Sequence, residues 1–224
     1  MEYHFFAFFK TVLFVMGALL PIMNPPGNAP IFHSLTAGAS NATRNALAQR
    51  VAINAFILLV GGMFIGTHVL SFFGISMPVV KVAGGLLVIA TAWKLLTTEE
   101  AKIDAVPESM WTTELASKKA FYPLTFPFTV GPGSISVAIT LGAGLEITGV
   151  PNAITMAAAV VALAIAAGAV YLSNRFAGTL VRFLGDTGTT VMLRMYAFIL
   201  LCIGVQIMWD GTVGLLVQLH NAGA

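Results

Sequence analysis

Charge is what this chain has least of. Asp, Glu, Lys and Arg make up 9% of its 224 residues, against roughly 25% in ordinary soluble domains, while 58% are apolar. Too little polar surface exists to wrap a water-soluble globule, so the lipid bilayer is the expected surrounding and no nucleic-acid partner is expected. Cysteine is nearly absent. Cys202 stands alone, which rules out an intrachain disulfide or a cysteine metal cluster and reads as a small buried residue. Carboxylates are missing from the middle of the apolar runs, since Glu2, Glu146, Asp186 and Asp210 fall in loops or near run ends, and the acidic proton relay of many pumps has no candidate. No Gly-Lys-Ser or Gly-Lys-Thr phosphate loop occurs, which argues against direct coupling to ATP. No cofactor or metal site is expected. A signal-peptide pattern is also missing: Glu2 precedes the first apolar run, Lys10 interrupts it and prolines follow it, so the first span is expected to stay.

What the chain does have is apolar length. Uncharged stretches cover 51–80, 120–145, 147–174 and 195–209, and two more runs, 5–22 and 78–96, carry lysine near their ends. Most approach or exceed the roughly 20 residues that cross a bilayer core as a helix, and their length and Gly/Ala content suit helices better than a barrel. The reading is all-α: a polytopic membrane protein with six spans in a single transmembrane domain. With six spans, the loops after spans one, three and five carry Arg44, Arg50, Lys94, Lys102, Lys118, Lys119, Arg175, Arg182 and Arg194, and the opposite side only Lys10 and Lys81. Under the positive-inside rule both termini lie outside the cytoplasm. His33 and His68 read as interfacial or packing residues.

A polar linker, 97–119, separates residues 1–96 from 120–224. Three spans on each side force the halves into opposite orientations, the arrangement of inverted repeats that bind a solute between them. Both halves open on broken helices. "LLPIMNPPGNAPIF" holds Pro21-x-x-x-Pro25 and Pro26-Gly27-Asn28, and "FYPLTFPFTVGPGSIS" holds Pro123-x-x-x-Pro127 and Pro132-Gly133-Ser134. Interior proline removes a helix hydrogen bond and clashes with the preceding turn. In hydrocarbon, such a break persists only where protein or a water-filled cavity satisfies the freed groups. Half-helices are expected to restart near Gly27 to Ala29 and Gly133 to Ile135, presenting N–H groups to an anionic group such as a carboxylate.

The expected solute-binding residues are Asn24, Pro25, Gly27 and Asn28 in the first break and Thr129, Gly131, Pro132, Gly133 and Ser134 in the second, with Asn28 or Ser134 placed to cap the following half-helix. Lys81 and Arg194, each opening the third span of its half, are candidates for a gate or charge, against the competing reading that they snorkel to the headgroups. Gln206 and Thr91 could line a path or bond across helices. Gly62, Gly66, Gly84 and Gly85 suit close helix packing.

The phrases "NPPGNAPIF", "FGISMPVVKVAGGLLV", "PLTFPFTVGPGSIS" and "RMYAFILLCIGVQIMWDG", in this order across nearly the whole chain, resemble the MarC family of bacterial and archaeal inner-membrane proteins. That resemblance implies a six-span transporter of small neutral amino acids, with its breaks at Asn24, Pro25 and Gly27 and at Gly131 to Ser134. Lys81 replaces an arginine common in the family, keeping the charge but losing a planar fork for carboxylates. The expected function is secondary transport of small neutral amino acids or related zwitterions. Direction, coupling ion and homo-oligomeric assembly stay open. Alternatives are a non-transporting assembly or scaffold protein and an exporter of other small molecules. An enzyme is not expected and no catalytic residue is assigned, because Ser134 has no histidine or acidic partner on its own span.

Overall fold

The computed structural model describes residues 2–97, 111, 113–146 and 153–222, and these are almost entirely helical. Helix α1 (Glu2–Met23) is followed after one residue by α2 (Pro25–Leu35), then α3 (Asn41–Phe72) and α4 (Met77–Thr97). Helix α5 (Thr113–Lys119) runs into a loosely wound segment, Ala120–Thr129, after which come α6 (Pro132–Glu146), α7 (Ala153–Arg175) and α8 (Ala177–Ala222). Glu99, Glu100, Lys102, Asp104 and Glu108 of the polar linker lie outside the described residues, as does the connection before α7. Five helices are long and apolar enough to cross a membrane, or up to six if the bent pair Glu114–Thr129 and Pro132–Leu145, which meet at 70°, is one span.

Local chemistry accounts for where these elements stop. Pro25 and Pro26 occupy the first turn of α2, where a missing N–H costs least. Ser40 caps α3 by accepting from Thr43 N at 3.2 Å. In α8, Gly185 takes a left-handed φ of 66° and splits off the first turns, leaving Thr187–Asn221 as the long apolar helix. Tyr122 and Phe126 are extended, as residues before proline tend to be. The Thr125 and Thr129 hydroxyls donate to the Ala120 and Leu124 carbonyls at 2.6 and 2.7 Å, serving acceptors that the irregular winding would otherwise expose.

Helix α7 fills the centre. Its Ala158, Ala159, Ala162, Leu163 and Ala166 are fully buried with Leu19 of α1 and Val51 and Leu59 of α3. Phe14, Ile57, Leu87 and Phe198 are exposed, as expected of surfaces facing lipid. Between such surfaces hydrocarbon provides no hydrophobic drive, so association depends on close packing. Helices α4 and α8 pack together most extensively, and glycine is the reason. A Cβ on Gly85 would lie 2.6 Å from Met208 N, one on Gly204 2.9 Å from Ile89 N, and one on Gly211 2.7 Å from Pro78 O. Gly66 performs the same service for α3 against Ile139 of α6. Cys202 departs from the expected burial and is exposed.

Candidate functional site

The first break turns on Asn24. It adopts a left-handed conformation with φ 37°, which asparagine tolerates better than most residues because its amide bonds locally. Its Oδ1 accepts from Gly27 N at 3.3 Å, so Asn24, and not Asn28, caps the helix. That helix starts at Pro25 and its counterpart in the second half at Pro132, slightly ahead of the expected Gly27 and Gly133. The two Pro-x-x-x-Pro patterns do not occupy equivalent places: Pro25 opens α2, whereas Pro127 lies within the irregular segment before the second break. The stretches that do share one spacing are Pro21 with Pro26-Gly27-Asn28 and Pro127 with Pro132-Gly133-Ser134. The first break also follows a helix that could itself cross a membrane, so it does not divide a span at its middle.

Asn28 joins the breaks. Its Nδ2 donates to Met23 O at 2.8 Å, at the end of α1, and to Phe128 O at 3.0 Å, just before the second break. The side chain is buried. Its Oδ1 receives no well-formed hydrogen bond, although the Tyr196 hydroxyl adjoins the amide. Tyr196 also closes over the first break, because a Cβ at Gly27 would lie 2.6 Å from its ring and 2.5 Å from Asn24 Nδ2. Only glycine fits there.

A small cavity of about 30 Å³ lies at the second break, walled by Thr129, Gly131, Pro132, Gly133 and Ser134, with Thr91 of α4 and Tyr196 of α8 opposite. Ser134 and Thr129 are buried, but Thr129 spends its proton on Leu124 O. The structure therefore gathers the second-break residues around one space and attaches the first break to it through Asn28 and Tyr196. Asn24 and Pro25 stand behind this contact and hold the turn.

The two candidate cations part company. Arg194 is exposed and reaches Leu96 O at the end of α4 at 3.4 Å, away from the cavity. Lys81, at the other end of the α4 and α8 pair, is half-buried and lines a second, larger cavity with Asp210. Asp210 is exposed on the long apolar Thr187–Asn221 helix and accepts from Gln206 at 2.8 Å. Sequence reasoning missed Tyr196 and Ser136. The available signals were a tyrosine, with a polar tip on an apolar body, inside "RMYAFILL", and the second serine of "GPGSIS".

The MarC family integral membrane protein model matches residues 7–216. A "UPF0056 inner membrane protein MarC" of Escherichia coli O1:K1 / APEC is 28% identical over 95% of this chain and 98% of its own length. A protein of the same name from Salmonella typhimurium is 27% identical over the same shares. A "UPF0056 membrane protein" of Archaeoglobus fulgidus is 32% identical over 96% of this chain and 95% of its own. No solved structure matches. With the family model covering nearly every described element, the chain belongs to the MarC family of integral membrane proteins.

Proposed function

We propose that this protein is an inner-membrane secondary transporter of small neutral amino acids or related zwitterions, built as two inverted halves with both termini outside the cytoplasm. The observation that carries the reading is the junction of the breaks: Asn28 tied to carbonyls at both, beside a cavity lined by the second. A globular protein has little use for two adjoining unwound segments in hydrocarbon, whereas a carrier needs freed backbone groups that a solute can engage. The names of the bacterial relatives support the inner membrane.

Packing supports inversion. Helices α4 and α8 contact each other, as do α3 and α7, and most of the remaining contacts between halves come in exchanged pairs: α3 with α6 and α7 with α2, α1 with α7 and Ala120–Thr129 with α3, α4 with α6 and α8 with α2, and α1 with α6 and Ala120–Thr129 with α2. Such pairing is what a pseudo-two-fold relation requires. The proposed orientation is supported by His33 and Arg44 both lying near Gly178, and by Arg50 donating to Ser117, which gathers three basic loops at one end.

At about 30 Å³ the cavity has room for little more than a water. The conformation is closed, and an amino acid enters only when the broken pieces move apart. Purified protein in liposomes should take up labelled glycine, alanine or serine, and no flux for any small neutral amino acid would refute the substrate class. Gly133→Val should cut flux at least about tenfold, because its Cβ would sit 2.7 Å from Val88 Cγ2. Unchanged flux would remove this break from the path.

A further inference from the structure

The larger cavity, about 190 Å³, lies between α1, α4, α6 and α8 and is bordered by Lys81, Ser136, Thr140 and Asp210. Its polar groups are left in an unusual state. Ser136 is 1% exposed, and its hydroxyl has no hydrogen-bond partner, although a buried hydroxyl is normally paired. Thr140 commits its proton to Ser136 O at 2.9 Å, which leaves its oxygen as an acceptor. Lys81 and Asp210 carry opposite charges on the same wall, yet among the described residues no ion pair within 4.0 Å joins them.

A singly charged ligand here would satisfy one of these groups and leave the other opposite an empty space. A ligand with both charges a few bonds apart satisfies both, and its polar atoms are within the class that the Ser136 hydroxyl recognises. Gly133, which lines the small cavity, neighbours residues of both linings. Its α-carbon faces Val88 and Ile22, which wall the small cavity, and Ile207, which walls the large one. Three apolar side chains, two lining the small cavity and one the large, thus meet at a residue of the second break, placed to act as a septum.

We propose that the large cavity is a waiting site for a small zwitterion on the Lys81 side of the septum, the outward side in the proposed orientation. Lys81 takes the carboxylate, Asp210 the ammonium and Ser136 a hydrogen bond, and the solute passes Gly133 when Ile22, Val88 and Ile207 separate. The inference rests on the transporter reading but is tested without flux. In a Cys202→Ser background, which removes the exposed native thiol, Ser136→Cys in sealed proteoliposomes is treated with a membrane-impermeant methanethiosulfonate. Thr140→Cys serves if that variant does not fold.

Glycine or alanine at ten times its apparent Kd should slow modification about tenfold by occupancy. Glycinamide, with the ammonium alone, and acetate, with the carboxylate alone, should not, and Lys81→Met or Asp210→Asn should each abolish the protection. Equal protection by acetate, or none by any zwitterion, overturns the site. Flux measured in parallel separates the two ideas: transport without protection sinks the waiting site alone, protection without transport upholds the site and sinks the carrier, and neither sinks both.

Discussion

At the scale of single residues, Asn28 and Gly27 carry the heaviest constraints. A carboxamide has two N–H bonds, and Asn28 uses both on carbonyls flanking different breaks. Asn28→Ala leaves two acceptors unserved, a loss of about 1–3 kcal/mol per buried group, and should lower the thermal midpoint of the detergent-solubilised protein as well as its flux. Asn28→Asp keeps the shape but supplies no donor, and should behave like alanine; a midpoint and flux equal to the parent would mean that the bridge is incidental. Gly27→Ala forces a methyl against Asn24 and the Tyr196 ring, an overpacking that typically costs 1–3 kcal/mol. Tyr196→Leu should recover part of that cost, and a double-mutant cycle with no coupling would place the strain elsewhere. Proline, glycine and asparagine chemistry made both breaks legible from sequence, because it acts within a few residues of itself. Tyr196 was not legible. It reaches the first break from the far half of the chain, and no local pattern reports which face of an apolar helix meets another.

Among the elements, the pair α4 and α8 and the irregular Ala120–Thr129 segment behave differently under substitution. The α4 and α8 seam is backbone against backbone at Gly85, Gly204 and Gly211. Gly85→Val or Gly204→Val cannot be accommodated by rotating a side chain, so either should reduce thermal stability by about 2 kcal/mol or more. Gly61 and Gly17 meet nothing within 4 Å, and alanine at either should be silent in the same aggregation-temperature assay. A seam variant as stable as those controls would disprove the close contact. Helix existence was readable from apolar length, and glycine spacing foretold close approach. The break in α8 at Gly185 and the meeting of Lys81 with Asp210 on one cavity were not readable, since a positive φ and a facing partner arise only when helices are assembled.

For the whole molecule, charge asymmetry is the property that sequence and packing express together. In the proposed six-span topology nine of the eleven cations fall on one side, so both termini should face away from the cytoplasm; alkaline phosphatase fused after Ala224 should be active, and a fluorescent protein at the same point dark. The reverse pattern would invert the proposed orientation and place the Lys81 cavity inside the cell. The proposed inverted relation of the halves rests on repeated breaks in the sequence and on exchanged contacts in the fold, and its register could be written only once each proline had a place in a helix or a turn. Mechanics follow from the glycine seam. In any rotation, displacement grows with distance from the axis and vanishes on it, and in the proposed inverted arrangement α4 and α8 are counterparts that touch each other, the position a two-fold axis would pass through. A bearing built largely of backbone against backbone tolerates turning but not separation, so in that arrangement the long pair would serve as pivot while the broken segments swing about it.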